Sequence, residues 1–179
     1  MNIYSYITLI INKEGKQNMT KLYAQPYLDE IGFHFDSVKS YQEQVKDLTD
    51  SCFKIQFIDG DDIDRALFNA IGVYAGNIDQ FFTAVENWDN DEKIRIIIAC
   101  WECGYKFDRD TKPDNFDIDV YEVETLKELA EHFVQEGLFF GEVPDNILFY
   151  LDMDQIAYDL GMEYRAIRVA GRNLVYRRG

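Results

Sequence analysis

Apolar residues along this chain change their period, and that change limits the fold more than any other feature. Over 21–27, 32–35 and 52–58 apolar and polar side chains alternate, and Phe53, Ile55 and Phe57 share one face, as strand spacing requires. From 61 to 103 the period lengthens. Ile63, Leu67 and Ala70-Ile71, then Ile78, Phe81-Phe82 and Val85, then Ile94, Ile97-Ile98 and Trp101 recur at helical spacing. Gly72, Gly76-Asn77 and the stretch from Asn87 to Asn90 punctuate three short helices. A chain that segregates its periods in this way builds separate sheet and helical pieces, which makes it α+β.

Local signals fill in the order. Strands are expected at 21–27 and 32–35 with Asp29-Glu30 turning between them, then a helix over 38–48 capped by Ser37, then a strand over 52–58 ending in Asp59-Gly60. After Gly104 the polar stretch 108–115 leads to a strand at 116–123 and a helix from Thr125 to Gln135, which Gly137 is placed to terminate. A short helix lies between Pro144 and Asp152, and a further turn or two follows at 154–160. The chain closes on a hairpin of 164–169 with 174–177 around Ala170-Gly171-Arg172-Asn173. These boundaries divide the chain into an N-terminal extension (1–19), a sheet-plus-helix subdomain (20–60), a central helical subdomain (61–103) and an α+β subdomain (104–179). The apolar run 3–11 has no basic region before it and no small-residue cleavage site after it, so it does not read as a secretory signal. Met19-Thr20 directly precedes the first strand and is the expected natural start.

Charge narrows the partners. The 179 residues hold 33 acids and 18 bases, a net charge of -15. Located along the chain, residues 21–160 carry 31 acids against 11 bases, whereas 161–179 carry five Arg and one Glu. A body this negative repels phosphate backbones, which excludes ordinary nucleic-acid binding and points to cations or basic proteins. Solubility alone accounts for much acidic composition. Two features go beyond it. The acids interleave with core residues, as in Asp117-Ile118-Asp119-Val120-Tyr121-Glu122, where alternation sets Asp117, Asp119 and Tyr121 on one face. In addition, two copies of a body at net -20 carry the charge of about 68 Å of duplex DNA, taking one charge per about 1.7 Å.

Catalytic and metal patterns are not formed. Neither Asp108-Arg109-Asp110, Asp152-Met153-Asp154 nor Asp59-Gly60-Asp61-Asp62 completes a calcium loop, so no metal or cofactor is expected. Cys100 and Cys103 make one C-x-x-C at the end of an apolar helix, where the helix dipole opposes thiolate formation. They read as buried structural thiols, and three cysteines without a repeated spacing fit a reducing, cytoplasmic setting. His34 and His132 have no partner nucleophile in the pattern, and no nucleophile elbow or phosphate loop is present, so an enzyme is not expected.

Leu138-Phe139-Phe140-Gly141-Glu142-Val143-Pro144, followed by Tyr150-Leu151-Asp152 and Asp159-Leu160, resembles the antirestriction motif of the ArdA family, DNA mimics encoded by mobile genetic elements. The likeness extends upstream through Leu22–Pro26, the IQFIDGDDI stretch, Gly104–Phe107 and Phe116–Glu122, and downstream to Gly171–Arg177. It covers about residues 20–179. Leu151, Met153 and Tyr158 depart from the aromatic, Tyr and Arg common at those positions. The resemblance implies an elongated homodimer of small subdomains whose carboxylates stand in for phosphates. Those carboxylates are Asp59, Asp61, Asp62, Asp64, Asp79, Glu86, Asp89, Asp91, Glu92, Asp108, Asp110, Asp114, Asp117, Asp119, Glu122, Glu124, Glu128 and Glu131. The implied partner is the methyltransferase core of a type I restriction–modification enzyme, made of specificity and modification subunits. Residues 138–160 would serve the dimer contact, because Leu138, Phe139, Val143, Tyr150 and Leu151 are too many large apolar groups for a solvated face. The rival reading is an acidic inhibitor or adaptor of a different basic DNA-binding or defence protein.

Overall fold

The computed structural model describes residues 19–27, 31–46, 48, 52–139 and 141–179. Residues 1–18 and the expected turn at Asp29-Glu30 lie outside the described residues. The molecule is α+β, with helices and two three-stranded sheets. It divides into two compact units, Met1–Trp88 and Asp89–Gly179, and this boundary falls inside the segment 61–103.

In the first unit β1 (Lys21–Pro26) is the middle strand, antiparallel to β2 (Phe33–Phe35) on one side and β3 (Phe53–Asp59) on the other. Alternation sets the faces: Leu22, Ala24, Phe53 and Ile55 are buried, while Lys21 and Lys54 reach solvent. Helix α1 (Val38–Val45) opens on the expected cap. Ser37 Oγ accepts from the Ser40 amide at 3.2 Å, and Ser40 Oγ accepts from the Ser37 amide at 3.1 Å. The helix stops short of residue 48 and buries none of its residues, although the Tyr41 ring meets Phe35 at 4.9 Å. Helices α2 (Asp62–Ile71) and α3 (Ile78–Asn87) bury Ile63, Leu67, Phe68, Phe81 and Phe82. Between them Gly72 takes φ 61, the left-handed conformation that ends a helix at low cost only in glycine. Ring pairs join sheet to helices, with Phe57–Phe68 at 5.7 Å and Phe35–Phe82 at 6.1 Å, each worth about 0.5–1.5 kcal/mol beyond area burial.

The second unit runs α4 (Asn90–Trp101), a 3-10 turn (Pro113–Asn115), β4 (Ile118–Tyr121), α5 (Leu126–Gln135), α6 (Asp145–Leu148), α7 (Met153–Leu160), β5 (Tyr164–Val169) and β6 (Arg172–Arg178). The last strand sits in the middle, in the order β4-β6-β5, both pairings antiparallel. Both faces of this sheet are covered. Tyr121, Tyr164 and Val175 pack on Leu129, Phe133, Ala157 and Leu160 of α5 and α7. On the opposite face Ile118, Val120 and Leu174 border a cavity of about 280 Å³ with Ile94 of α4. The hairpin turn is two residues, Ala170-Gly171, tighter than the four residues 170–173 that the composition suggested. Both have positive φ, 49 and 80, which is what a type I′ turn demands.

Candidate protein interface

Helix starts fix many of the acids. Asp89 Oδ1 accepts from the Glu92 amide and Glu92 Oε2 accepts from the Asp89 amide, both at 2.8 Å, closing a capping box in front of α4. Asp62, Asp79, Asp91 and Glu128 lie in the first turns of α2, α3, α4 and α5, where the helix dipole favours negative charge. Asp108 is held in a turn, its Oδ1 accepting from the Asp110 amide at 3.0 Å and from Thr111 Oγ1 at 2.8 Å.

In the first unit Asp59, Asp61, Asp62, Asp79 and Glu86 are exposed. In the second, Asp89, Asp91, Asp108, Asp110, Asp114, Asp117, Glu122, Glu124 and Glu128 are exposed, and Glu92, Asp119 and Glu131 are half-buried. Asp64 is a correction. It is 3% exposed and accepts from Thr20 Oγ1 at 3.0 Å, so it ties α2 to the chain entering β1 and is not displayed to a partner. The row Asp117, Asp119, Tyr121 is also not a solvent-facing carboxylate face. Tyr121 turns into the α5 core at 5.3 Å from Phe133. Asp119 takes two hydrogen bonds from Arg177, from Nη2 at 2.6 Å and from Nε at 3.1 Å.

The basic C-terminal hairpin finds its acids on its own unit. Arg172 bridges Glu122 and, at 3.9 Å, Asp91. Arg177 joins Asp119 and, at 3.9 Å, Glu163, and lies over the Tyr164 ring. Arg178 donates to Tyr105 Oη at 2.8 Å, and Arg95 reaches Asp114 at 3.7 Å. Asp91, Asp114, Asp119 and Glu122 are therefore partly neutralised from within. The sequence showed a positive tail but not its destination.

The motif segment divides between surface and core. Leu138, Phe139, Glu142, Pro144, Tyr150, Asp152 and Asp159 are exposed, and Val143 and Leu151 are half-buried. Tyr150 is 85% and its neighbour Phe149 95% exposed, the bare apolar surface that the sequence marked for a contact. Leu160 is the exception: it is buried in the core between α5 and α7. Asp152 caps α7, accepting from the Asp154 and Gln155 amides at 3.1 Å, and Asp159 accepts from Gln155 Nε2 at 3.1 Å. Gly137, with φ 68, ends α5 as expected and brings the chain round so that the Gly141 amide donates to the Gly137 carbonyl at 2.9 Å. A Cβ at residue 137 would lie 2.8 Å from the Gly141 carbonyl carbon, so this return admits only glycine.

The cysteines are free thiols. Cys100 and Cys103 are half-buried, and burial pushes the Cys100 thiol up to about 11. Cys52 is exposed. Among the described residues no group of three or more His, Cys, Asp or Glu is placed to hold a metal ion, and no helix is long and apolar enough to cross a membrane. No protein-family model, no curated protein and no solved structure matches this chain.

Proposed function

We propose that this protein is a non-catalytic antirestriction factor that mimics DNA and competes with it for the basic groove of a type I methyltransferase core. The observation that carries the reading is the display of carboxylates on fixed elements: fourteen of the eighteen acids singled out from the sequence are exposed, most of them on helix starts and capped turns. Rigid, spaced negative charge is what a groove built for phosphates selects. Internal pairing of Asp91, Asp114, Asp119 and Glu122 shifts the weight of the mimicry onto Asp61, Asp62, Asp79 and Glu86, and onto Asp108, Asp110, Asp117, Glu124 and Glu128. The motif resemblance around Glu142-Val143-Pro144 supplies the target class.

Titration into a preformed methyltransferase–DNA complex tests the reading. At about 50 mM salt the protein displaces the DNA. By about 200 mM its apparent affinity falls at least tenfold, while single Asp→Asn changes at exposed positions cost about threefold or less, because many weak screened contacts share the energy. Failure to displace DNA at low salt sinks this target. Capture of a different basic DNA-binding protein in the same assay moves the function to the rival class of acidic inhibitor.

A further inference from the structure

Helix α4 closes one face of the second sheet, and the closure is incomplete. Along β4 the alternating positions are Ile118, Val120 and, just past the strand, Glu122, and along β6 they are Arg172 and Leu174. Over them lies the α4 ridge Asp91, Ile94 and Arg95, at i, i+3 and i+4. Four apolar side chains, Ile94, Ile118, Val120 and Leu174, line the same space, and the cavity of about 280 Å³ stays open among them. Close-packed interiors keep few voids larger than a water molecule, so the packing of α4 on the sheet does not by itself account for a space of this size.

The charge around this apolar floor is balanced. Glu122 pairs with Arg172, whose guanidinium also lies 3.9 Å from Asp91. Arg95 reaches Asp114 at 3.7 Å, a loose pair whose carboxylate is 95% exposed and stands outside the lining. Both contacts of Arg172 use Nη2 and that of Arg95 uses Nη1, so most of the five N–H donors of each guanidinium are left for another acceptor. Two carboxylates and two guanidiniums therefore border one small cavity.

That pattern selects the ligand. An anion meets Asp91 and Glu122, a cation meets Arg95 and Arg172, and each is repelled by half of the charged lining. An uncharged apolar molecule covers the floor but strips water from four charges without replacing it. A molecule with adjacent positive and negative groups on a branched apolar body meets every part of the lining, because each of its charges gains charge-assisted hydrogen bonds. The volume lies just below the about 300–1,000 Å³ of sites for drug-sized ligands, which restricts the ligand to a small one.

We propose that the cavity between α4 and the sheet binds a free α-amino acid with a branched apolar side chain, leucine, isoleucine or valine, as the zwitterion. Arg95 and Arg172 hold its carboxylate, Asp91 and Glu122 hold its ammonium, and its side chain rests on the isoleucines. The site draws on Asp91 and Glu122, two acids that internal pairing already withdraws from phosphate mimicry.

The test is a titration of the full-length, methyl-labelled protein with L-leucine, L-isoleucine and L-valine, followed by NMR. The Ile94 and Ile118 methyl resonances shift and saturate at one ligand per chain, while those of Ile55 and Ile63 in the first unit stay in place. The dissociation constant is about 1 mM or tighter. 4-Methylpentanoate, which is leucine without its amine, and 3-methylbutylamine, which is leucine without its carboxylate, each bind about tenfold or more weakly. Arg95→Met, which keeps an apolar stem and removes the guanidinium, weakens leucine about tenfold. Asp91→Asn, at a side chain 83% exposed, weakens it several-fold and serves as a second variant away from the core. Circular dichroism verifies the fold of both. Absence of a saturable shift at Ile94 and Ile118 with all three amino acids overturns the proposal. So does 4-methylpentanoate or 3-methylbutylamine binding as well as leucine, because the cavity would then be a simple anion or cation site. Unchanged leucine binding in both variants would overturn it too, by placing the ligand elsewhere. The titration contains neither DNA nor a methyltransferase, so its result stands apart from success or failure in displacing DNA.

Discussion

At the scale of single residues, the same carboxylate chemistry has opposite uses. Asp64 was one of a run of acids with nothing in its type to distinguish it from Asp62, yet it is buried against Thr20. Its spacing carried the signal: 64, 67, 68 and 71 fall at i, i+3, i+4 and i+7, the buried stripe of α2, so the periodicity that placed Leu67 and Ile71 inside also placed Asp64. Asp64→Ala leaves Thr20 without its acceptor and is expected to lower unfolding free energy by about 1–3 kcal/mol in urea titration. Asp62→Ala is expected to change it by about 0.5 kcal/mol or less, and equal losses would refute the distinction. The thiols differ in the same way. Cys100 is raised to about 11 by burial, while Cys52 is exposed, so iodoacetamide at pH 8 should modify Cys52 well before Cys100 in intact-mass and peptide spectra. Because the folded-state value of Cys100 lies above the ordinary 9.0, its neutral form is favoured in the fold. The stability this carries is complete below about 9 and is lost as pH rises toward 11.

At the scale of elements, capping residues were the most legible part of the sequence. Ser37, Asp89 and Thr125 each accept an amide hydrogen bond at the start of a helix, and Gly72 and Gly137 end helices in left-handed conformations. Asp89 combines a cap with a candidate phosphate-like charge, and two substitutions separate these roles. Asp89→Ala should cost about 1 kcal/mol in thermal or chemical unfolding, whereas Asp89→Asn, which keeps an acceptor, should cost only a few tenths. Both remove the charge, so both should weaken partner binding alike. A stability loss from Asp89→Asn as large as that from Asp89→Ala would show that the α4 start depends on charge rather than on the hydrogen bond. Strand ends were less legible. The segment expected over 116–123 forms β4 only at Ile118–Tyr121, because pairing with β6 extends from Ile118↔Arg178 to Tyr121↔Val175 and no further. Ladder length is set by the partner strand, which lies more than fifty residues later in the chain.

At the scale of the whole molecule, the net charge is spread over both units. Met1–Trp88 holds 13 acids and 7 bases, and Asp89–Gly179 holds 20 acids and 11 bases. Each unit therefore repels itself, and salt that shortens the Debye length to about 8 Å should relieve that repulsion. The melting temperature is expected to rise by a few degrees between about 20 and 300 mM sodium chloride in calorimetry. A fall over that range would show that the pairs made by Arg172 and Arg177 outweigh the repulsion.

Sequence by itself determined the α+β class, the helix starts, the glycine stops at Gly72 and Gly137, and the excess of negative charge, because period, capping chemistry and charge are properties of residues and their near neighbours. Tertiary structure alone decided which acids stay available. Arg172 and Arg177 reach Glu122 and Asp119 only because β6 pairs with β4 across more than fifty residues. Tertiary structure also made the cavity between α4 and the second sheet, whose walls come from α4, β4 and β6. Charge pairing and concavity depend on which distant segments meet, and that is settled by packing of the whole unit and not by any local run of residues.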